Sequence, residues 1–306
     1  MLISKINGVS LNNIAKINGI NKLNVESVNG VSNFNPAAFT FSVKTDETEE
    51  SNSTDPDQFH LLLNPTGTYN FTVYWGDGTQ DTIITHNDPN LLHTYPVAGT
   101  YIIELVGAVA GIQVDASTDK TKWIKILQWG DIAWESFRLA FMGCINLDVT
   151  AADVPDLSGV TSMYYAFAYC DSLVGASSME NWDTSNVITM EYTFLTCDLF
   201  NQNLGSWDTS SVENMYGTFC QAYAFDQDLG GWDVTALTDA SGMFFDIALS
   251  TSNYDALLIG WAAQAVNSGV TFDGGNSTYT ASGAAKAAHD KLTDDYSWTI
   301  TDGGEA

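Results

Sequence analysis

The sequence predicts a multidomain protein: a β-sandwich followed by a leucine-rich-repeat-like solenoid with an α/β C-terminal cap. Three observations lead there. Apolar and polar residues alternate around residues 69–75, an aromatic period of 25 to 27 residues runs through the middle of the chain, and that period is lost after about residue 252. The 306 residues divide accordingly into 1–35, 36–117, 118–252 and 253–306.

With 45% hydrophobic residues the chain can bury a sizeable core. Its charge is lopsided: 10 basic residues stand against 37 acidic ones, for a net charge of -27. Between Arg138 and Lys286 there is no Lys or Arg, yet that stretch holds seventeen acids from Asp148 to Asp273. A nucleic acid needs clustered cations to displace its counterions, so this chain would repel one. The same argument excludes an anionic membrane surface. No apolar run is long enough to span a bilayer. The first residues lack the continuous apolar stretch of a signal peptide. The acidic surface suits solubility, a cationic partner or divalent ions.

Residues 1–35 carry a short repeat. Lys5-Ile6-Asn7-Gly8, Lys16-Ile17-Asn18-Gly19 and Ser27-Val28-Asn29-Gly30 start 11 residues apart. Asn-Gly between β-branched residues is a turn signal. Three such turns cannot hold a core alone. The segment reads either as a docking element, with Asn7, Gly8, Asn18, Gly19, Asn29 and Gly30 as its turns, or as a partly ordered tail.

In 36–117 an acidic loop, Asp46 to Asp57, precedes strands. Tyr69, Phe71, Val73 and Trp75 alternate with polar residues, which is the strand period. Gly76-Asp77-Gly78 makes a turn before a strand from Gln80, and another strand follows Gly99. Short strands at this spacing argue for a sandwich. Tyr74-Trp75-Gly76-Asp77-Gly78 with His93-Thr94-Tyr95 and Gly99-Thr100-Tyr101 resembles the polycystic-kidney-disease (PKD) type of immunoglobulin-like domain. That likeness implies a spacer or binding module without catalysis.

In 118–252, Phe141, Phe167, Phe194, Phe219 and Phe244 keep the period. Asp156, Asp183, Asp208 and Asp233 keep it too, as do Trp182, Trp207 and Trp232. A recurring apolar period in the twenties predicts stacked turns that share one core. Asn181-Trp182-Asp183-Thr184-Ser185-Asn186-Val187 and Asn203-Leu204-Gly205-Ser206-Trp207-Asp208-Thr209-Ser210-Ser211-Val212 resemble the repeats of the BspA-like bacterial surface proteins. The likeness runs to about Gly304 and implies surface display, adhesion, and protein or glycan binding. In 253–306, Tyr254, Leu257, Leu258 and Trp261 fall at helical spacing. Ala281 to Leu292 reads as a second helix begun by Thr280 or Ser282, and Trp298 to Thr301 as a last strand.

The sequence holds no phosphate loop, G-x-S-x-G or H-E-x-x-H motif. Cys144, Cys170 and Cys197 follow the period without C-x-x-C spacing, which argues for buried thiols over a metal site. Among the many acids, Asp226 and Asp228 are the pair that could bind calcium, although turn acids are usually just solvated. No other cofactor is indicated. Phe137, Met163, Met190, Met215 and Ala240 lie four residues before each Phe of the series, and Tyr164, Tyr165, Tyr192 and Tyr216 lie in or beside a column two residues after these. They suit contacts with a protein or a sugar, or they pack under the next loop.

The function expected is therefore non-enzymatic adhesion. The first setting is a phage virion component, since the short repeats look like N-terminal segments of phage particle proteins. It would dock through its N-terminus on other assembly proteins, as a homo-oligomer or as part of a larger assembly, and contact a host surface protein or glycan through the solenoid. The alternative is a bacterial cell-surface adhesin.

Overall fold

The computed structural model describes residues 35–48, 53–114 and 119–306, together with the backbone of six two-residue strands before them. Those six form three antiparallel pairs: β1 (Lys5–Ile6) with β2 (Val9–Ser10), β3 (Lys16–Ile17) with β4 (Ile20–Asn21), and β5 (Ser27–Val28) with β6 (Val31–Ser32). Each pair flanks one Asn-Gly; the dipeptides themselves lie outside the described residues.

The largest sheet has six strands: β7 (Phe39–Lys44), β9 (Tyr69–Tyr74), β10 (Gln80–Ile83), β12 (Thr100–Val109), β13 (Trp123–Gln128) and β14 (Asp148–Val149). Their order is β10-β9-β12-β7-β13-β14, antiparallel except for the last pair. β9 alternates as its sequence requires, with Tyr69, Phe71 and Val73 buried. β7 sits between β12 and β13, and its first five residues are all buried. Gly76 turns the β9–β10 hairpin at φ +86, where a Cβ would lie 2.4 Å from the Ile102 carbonyl oxygen, so a side chain is excluded. A second layer pairs β8 (Gln58–His60) with β11 (Leu92–Thr94). Phe59 on β8 packs on Trp123 and Phe41, with ring centroids 5.6 and 6.3 Å apart.

One buried ion pair ties these layers together. Lys122 and Asp119 are 0% and 1% exposed, with Nζ 3.2 Å from Oδ1. The ammonium also donates to the Thr54 hydroxyl at 2.7 Å and the Gln58 carbonyl at 2.9 Å. Asp119 accepts from the backbone N–H of Thr54 at 2.9 Å and of His60 at 2.8 Å. Burial lowers the Lys122 pKa, and the Asp119 charge opposes that shift.

From residue 129 to 250 the chain is mostly turns. Successive segments bond to the next one along, as in Met163 N–H to Thr189 O at 2.9 Å, Met190 to Asn214 O at 2.9 Å, and Met215 to Asp239 O at 2.8 Å. Single parallel bridges join Ser162, Thr189, Asn214 and Asp239. The Asp column closes the turns: Asp183, Asp208 and Asp233 each accept from the backbone N–H and the hydroxyl two residues on. Phe141, Phe167, Phe194, Phe219 and Phe244 are buried, with centroid spacings of 5.5, 5.9, 5.6 and 5.7 Å. Trp182, Trp207 and Trp232 are buried beside them.

The chain ends in β15 (Asp239–Ala240), β16 (Thr271–Asp273) and β17 (Thr299–Thr301), a parallel three-stranded sheet, and two helices, α1 (Thr251–Ala262) and α2 (Ala284–Asp290). α2 begins later than expected, with Gly283 in the cap position. Thr280 is engaged elsewhere, its hydroxyl donating to Asp255 Oδ2 at 2.6 Å. Trp298 lies before β17 and donates its indole N–H to the Asn267 carbonyl at 2.8 Å.

The expected fold class needs correction. The protein is β-sheet in sandwich-like layers with two α-helices among the described residues, and a leucine-rich-repeat-like solenoid with a separate α/β cap is not what forms. Two physical reasons account for the difference. β13 was expected to start a separate unit, but it pairs with β7 and completes the preceding sheet. The aromatic period survives as residue-to-residue contacts, while Asx turns and left-handed residues bend each segment and leave no strand-and-helix unit. A single apolar core runs from Phe39 to Trp298.

Candidate functional site

Leu139, Tyr165, Tyr192, Gly217 and Gly242 all sit at positive φ, between 53° and 64°. This left-handed conformation costs an L-residue with a large side chain roughly 1 kcal/mol and suits glycine. Tyrosine at two of these positions therefore contributes through its ring. Tyr164 and Tyr165 have centroids 4.6 Å apart, Tyr165 and Tyr192 4.6 Å, and Tyr192 and Tyr216 5.0 Å. The Tyr192 ring covers Gly217, where an added Cβ would lie 2.5 Å from it. At the other end the Arg138 guanidinium stands 4.9 Å from the Tyr164 ring centre. The row thus stacks on itself with its faces half-buried, and Tyr216 is exposed.

Electrostatics follow from this crowding. Burial, then the neighbouring Tyr164, Tyr169 and Glu191, push the Tyr165 phenol up to about 12. Burial and the Tyr216 hydroxyl raise Tyr192. Burial, then the Asp239 charge, raises the Glu191 carboxyl. Asn214 Nδ2 reaches Glu191 Oε2 at 3.4 Å. The row offers aromatic faces, phenol hydroxyls and a carboxylate, which is chemistry for contact and hydrogen bonding.

A second aromatic face was missed in the sequence. Tyr169, Leu199, Tyr223 and Phe245 are exposed, the last two by 58% and 54%. Asp171, Asp198 and Asp246 lie among them. The Tyr223 hydroxyl is 3.4 Å and Gln221 Nε2 3.2 Å from Asp246 Oδ2. Burial, then Asp198, raises the Asp171 carboxyl. The available signal was another column, Tyr169, Thr196, Gln221 and Asp246, all at positive φ.

The expected calcium pair has structural duties. Asp226 Oδ1 accepts from Ser250 N–H at 2.8 Å, the Ser250 hydroxyl at 3.0 Å and Asn253 Nδ2 at 2.8 Å, which fastens the start of α1. Asp228 Oδ1 accepts from Gly230 N–H at 2.8 Å. Among the described residues no group of three or more His, Cys, Asp or Glu is placed to hold a metal ion. Asn7, Gly8, Asn18, Gly19, Asn29 and Gly30 fall outside the described residues.

Trp75, Asp77, His93, Tyr95 and Tyr101 form one cluster. Trp75 and His93 stack 4.7 Å apart, His93 meets Tyr95 at 4.6 Å, and Tyr95 stacks on Tyr101 at 3.8 Å. His93 Nε2 lies 2.9 Å from Asp77 Oδ2. Burial opposes ionisation of Asp77, but hydrogen bonds from Thr79 and His93 outweigh it and lower its pKa. A shallow groove of about 360 Å³ between Thr150–Val154 and Ala176–Asn181 has small and hydroxyl-bearing walls. No helix among the described residues is long and apolar enough to cross a membrane.

Neither any curated protein nor any solved structure matches the chain. One protein family does, over residues 135–257, and its description is Mycoplasma protein of unknown function, DUF285. The matched stretch contains the whole tyrosine row and the whole second aromatic face.

Proposed function

We propose that this protein is a non-enzymatic binding protein displayed on a bacterial cell surface, with the row Tyr164, Tyr165, Tyr192 and Tyr216 as its contact face for a surface protein or glycan. The observation that carries this reading is that tyrosines occupy left-handed backbone positions where glycine would cost less, and that their rings stack into one row. Tyrosine brings contact area at little entropy cost, so such rows suit recognition. The family match over the same residues supports the bacterial setting.

The test is adhesion of bacteria displaying the protein to host cells. Tyr216→Ala should lower adhesion about tenfold, as expected for a hot-spot aromatic, and leave the melting temperature within about 2 °C. Unchanged adhesion in both Tyr216→Ala and Tyr192→Ala would refute the contact face. Polysaccharide and peptide hydrolysis should remain at background with or without calcium or zinc. Turnover abolished by a single Asp→Asn change would overturn the non-enzymatic reading.

A phage virion setting is favoured by one observation, the three short strand pairs beside Lys5, Lys16 and Lys22 in an otherwise acidic chain. Under that reading the segment docks on the particle and the tyrosine row faces a host. Deleting residues 1–34 should then leave thermal melting unchanged and abolish incorporation into particles. Normal assembly of the truncated chain would remove the virion setting and leave the cell-surface one.

A further inference from the structure

We infer that the second aromatic face, formed by Tyr169, Leu199, Tyr223 and Phe245 around Asp171, Asp198 and Asp246, is a docking surface for a Lys- or Arg-bearing polypeptide segment of another protein. The face adjoins the tyrosine row, since Tyr169 is a neighbour of Tyr165, but its acids and its other exposed side chains lie on different columns.

Each part of the face has its own physical reason. Asp171 and Asp198 come from adjacent segments, joined by Tyr169 N–H to Leu195 O at 2.7 Å; Asp246 lies two segments further on, past Thr196 to Cys220 O at 2.9 Å and Gln221 to Phe245 O at 2.9 Å, where it meets Gln221 and Tyr223. Adjacent hydrogen-bonded segments lie about 4.8 Å apart, so Asp171 and Asp198 are held close together. The raised Asp171 pKa, caused by burial and then by Asp198, is the sign of that crowding. The segments that carry these acids hold no Lys or Arg of their own between Arg138 and Lys286. Yet Tyr223 and Phe245 put large apolar area into water next to those charges. Exposed aromatic area beside uncompensated carboxylates matches a segment that brings both a cation and an apolar side chain. Arg138 shows the same chemistry within the molecule, its guanidinium lying over Tyr164. A nucleic acid or anionic lipid would be repelled. A neutral glycan would leave the carboxylates uncompensated. A bare divalent ion would leave the apolar area exposed.

The test uses the full chain and a synthetic twelve-residue peptide alternating Lys and Leu, with a Glu and Leu peptide as its pair, followed by fluorescence anisotropy. The Lys peptide should bind, and raising salt from about 50 to 500 mM should weaken it about tenfold, since screening shortens the reach of these charges. The double variant Asp198→Asn/Asp246→Asn should weaken binding at least about tenfold, and Tyr223→Ala should weaken it similarly. Asp131→Asn, an exposed acid outside the face, should leave binding within about twofold. All variants should keep the native melting temperature, since the altered side chains are exposed. Equal binding of the Glu peptide, or indifference to the Asp198 and Asp246 changes, would overturn the inference. So would calcium-dependent stabilisation lost in the double variant without peptide binding, which would make this an ion site. Self-association abolished both by the double variant and by removing residues 1–34 would name a second copy as the occupant and equally overturn a separate partner.

Discussion

Phe194→Ala should destabilise the protein by about 3–5 kcal/mol, the range for removing a buried phenylalanine ring. Phe194 is fully buried and stacks on Phe200 at 4.3 Å, Phe219 at 5.6 Å and Phe167 at 5.9 Å. Its backbone is pinned by N–H to Thr218 O at 2.9 Å, which limits how far this segment can shift into the space left behind. The loss should spread to the segments carrying Phe167 and Phe219, which share the column. Urea unfolding followed by tryptophan fluorescence measures it, with Trp207 reporting locally at 6.1 Å from Phe194. A change under about 1 kcal/mol would show that the column is not packed as described.

Lys122→Met should cost a similar amount, about 3–5 kcal/mol, for an electrostatic reason. The substitution keeps most of the volume and removes the charge, so Asp119 is left buried with its cation gone. Asp119 still has to hold the N–H groups of Thr54 and His60, which fixes the carboxylate in place. The double variant Lys122→Met/Asp119→Leu should recover part of the loss, because no buried charge is then left without its partner. A thermodynamic cycle over the two single variants and the double one measures the coupling. A coupling near zero would mean that the pair contributes nothing as a pair.

Local patterns were legible in the sequence where one residue's neighbours in the chain decide its environment. The alternation at Tyr69, Phe71 and Val73 became β9, and the helical spacing at Tyr254, Leu257, Leu258 and Trp261 became α1. The buried Phe and Trp columns were legible because a period reports which positions face a common core. Pairing between distant segments was not. The paired residues of β7 and β13 are 80 to 88 positions apart in the chain, and nothing in Trp123–Gln128 names its partner. The Lys122–Asp119 pair was hidden because charged residues read as solvated. The second aromatic face was hidden for a geometric reason. A period aligns residues of one column, whereas Tyr169, Leu199, Tyr223 and Phe245 occupy four different offsets from the Phe column. The tyrosine row was found because two of its members share one column.

The three thiols of the core have a consequence for how the protein responds to its surroundings. Cys144, Cys170 and Cys197 are buried and form no disulfide, and the thiols of Cys170 and Cys197 donate to the carbonyls of Phe141 and Phe167 at 3.1 and 3.0 Å. Burial pushes the pKa of Cys170 and Cys197 upward, so almost no reactive thiolate exists at neutral pH. Cys220, partly exposed, is also raised by burial. None of the four takes part in a cross-link, so a reducing agent has no bond in this core to break, and an oxidant or alkylating agent finds poor nucleophiles. The stability of this core therefore rests on apolar packing and hydrogen bonds, with no contribution from disulfides among the described residues.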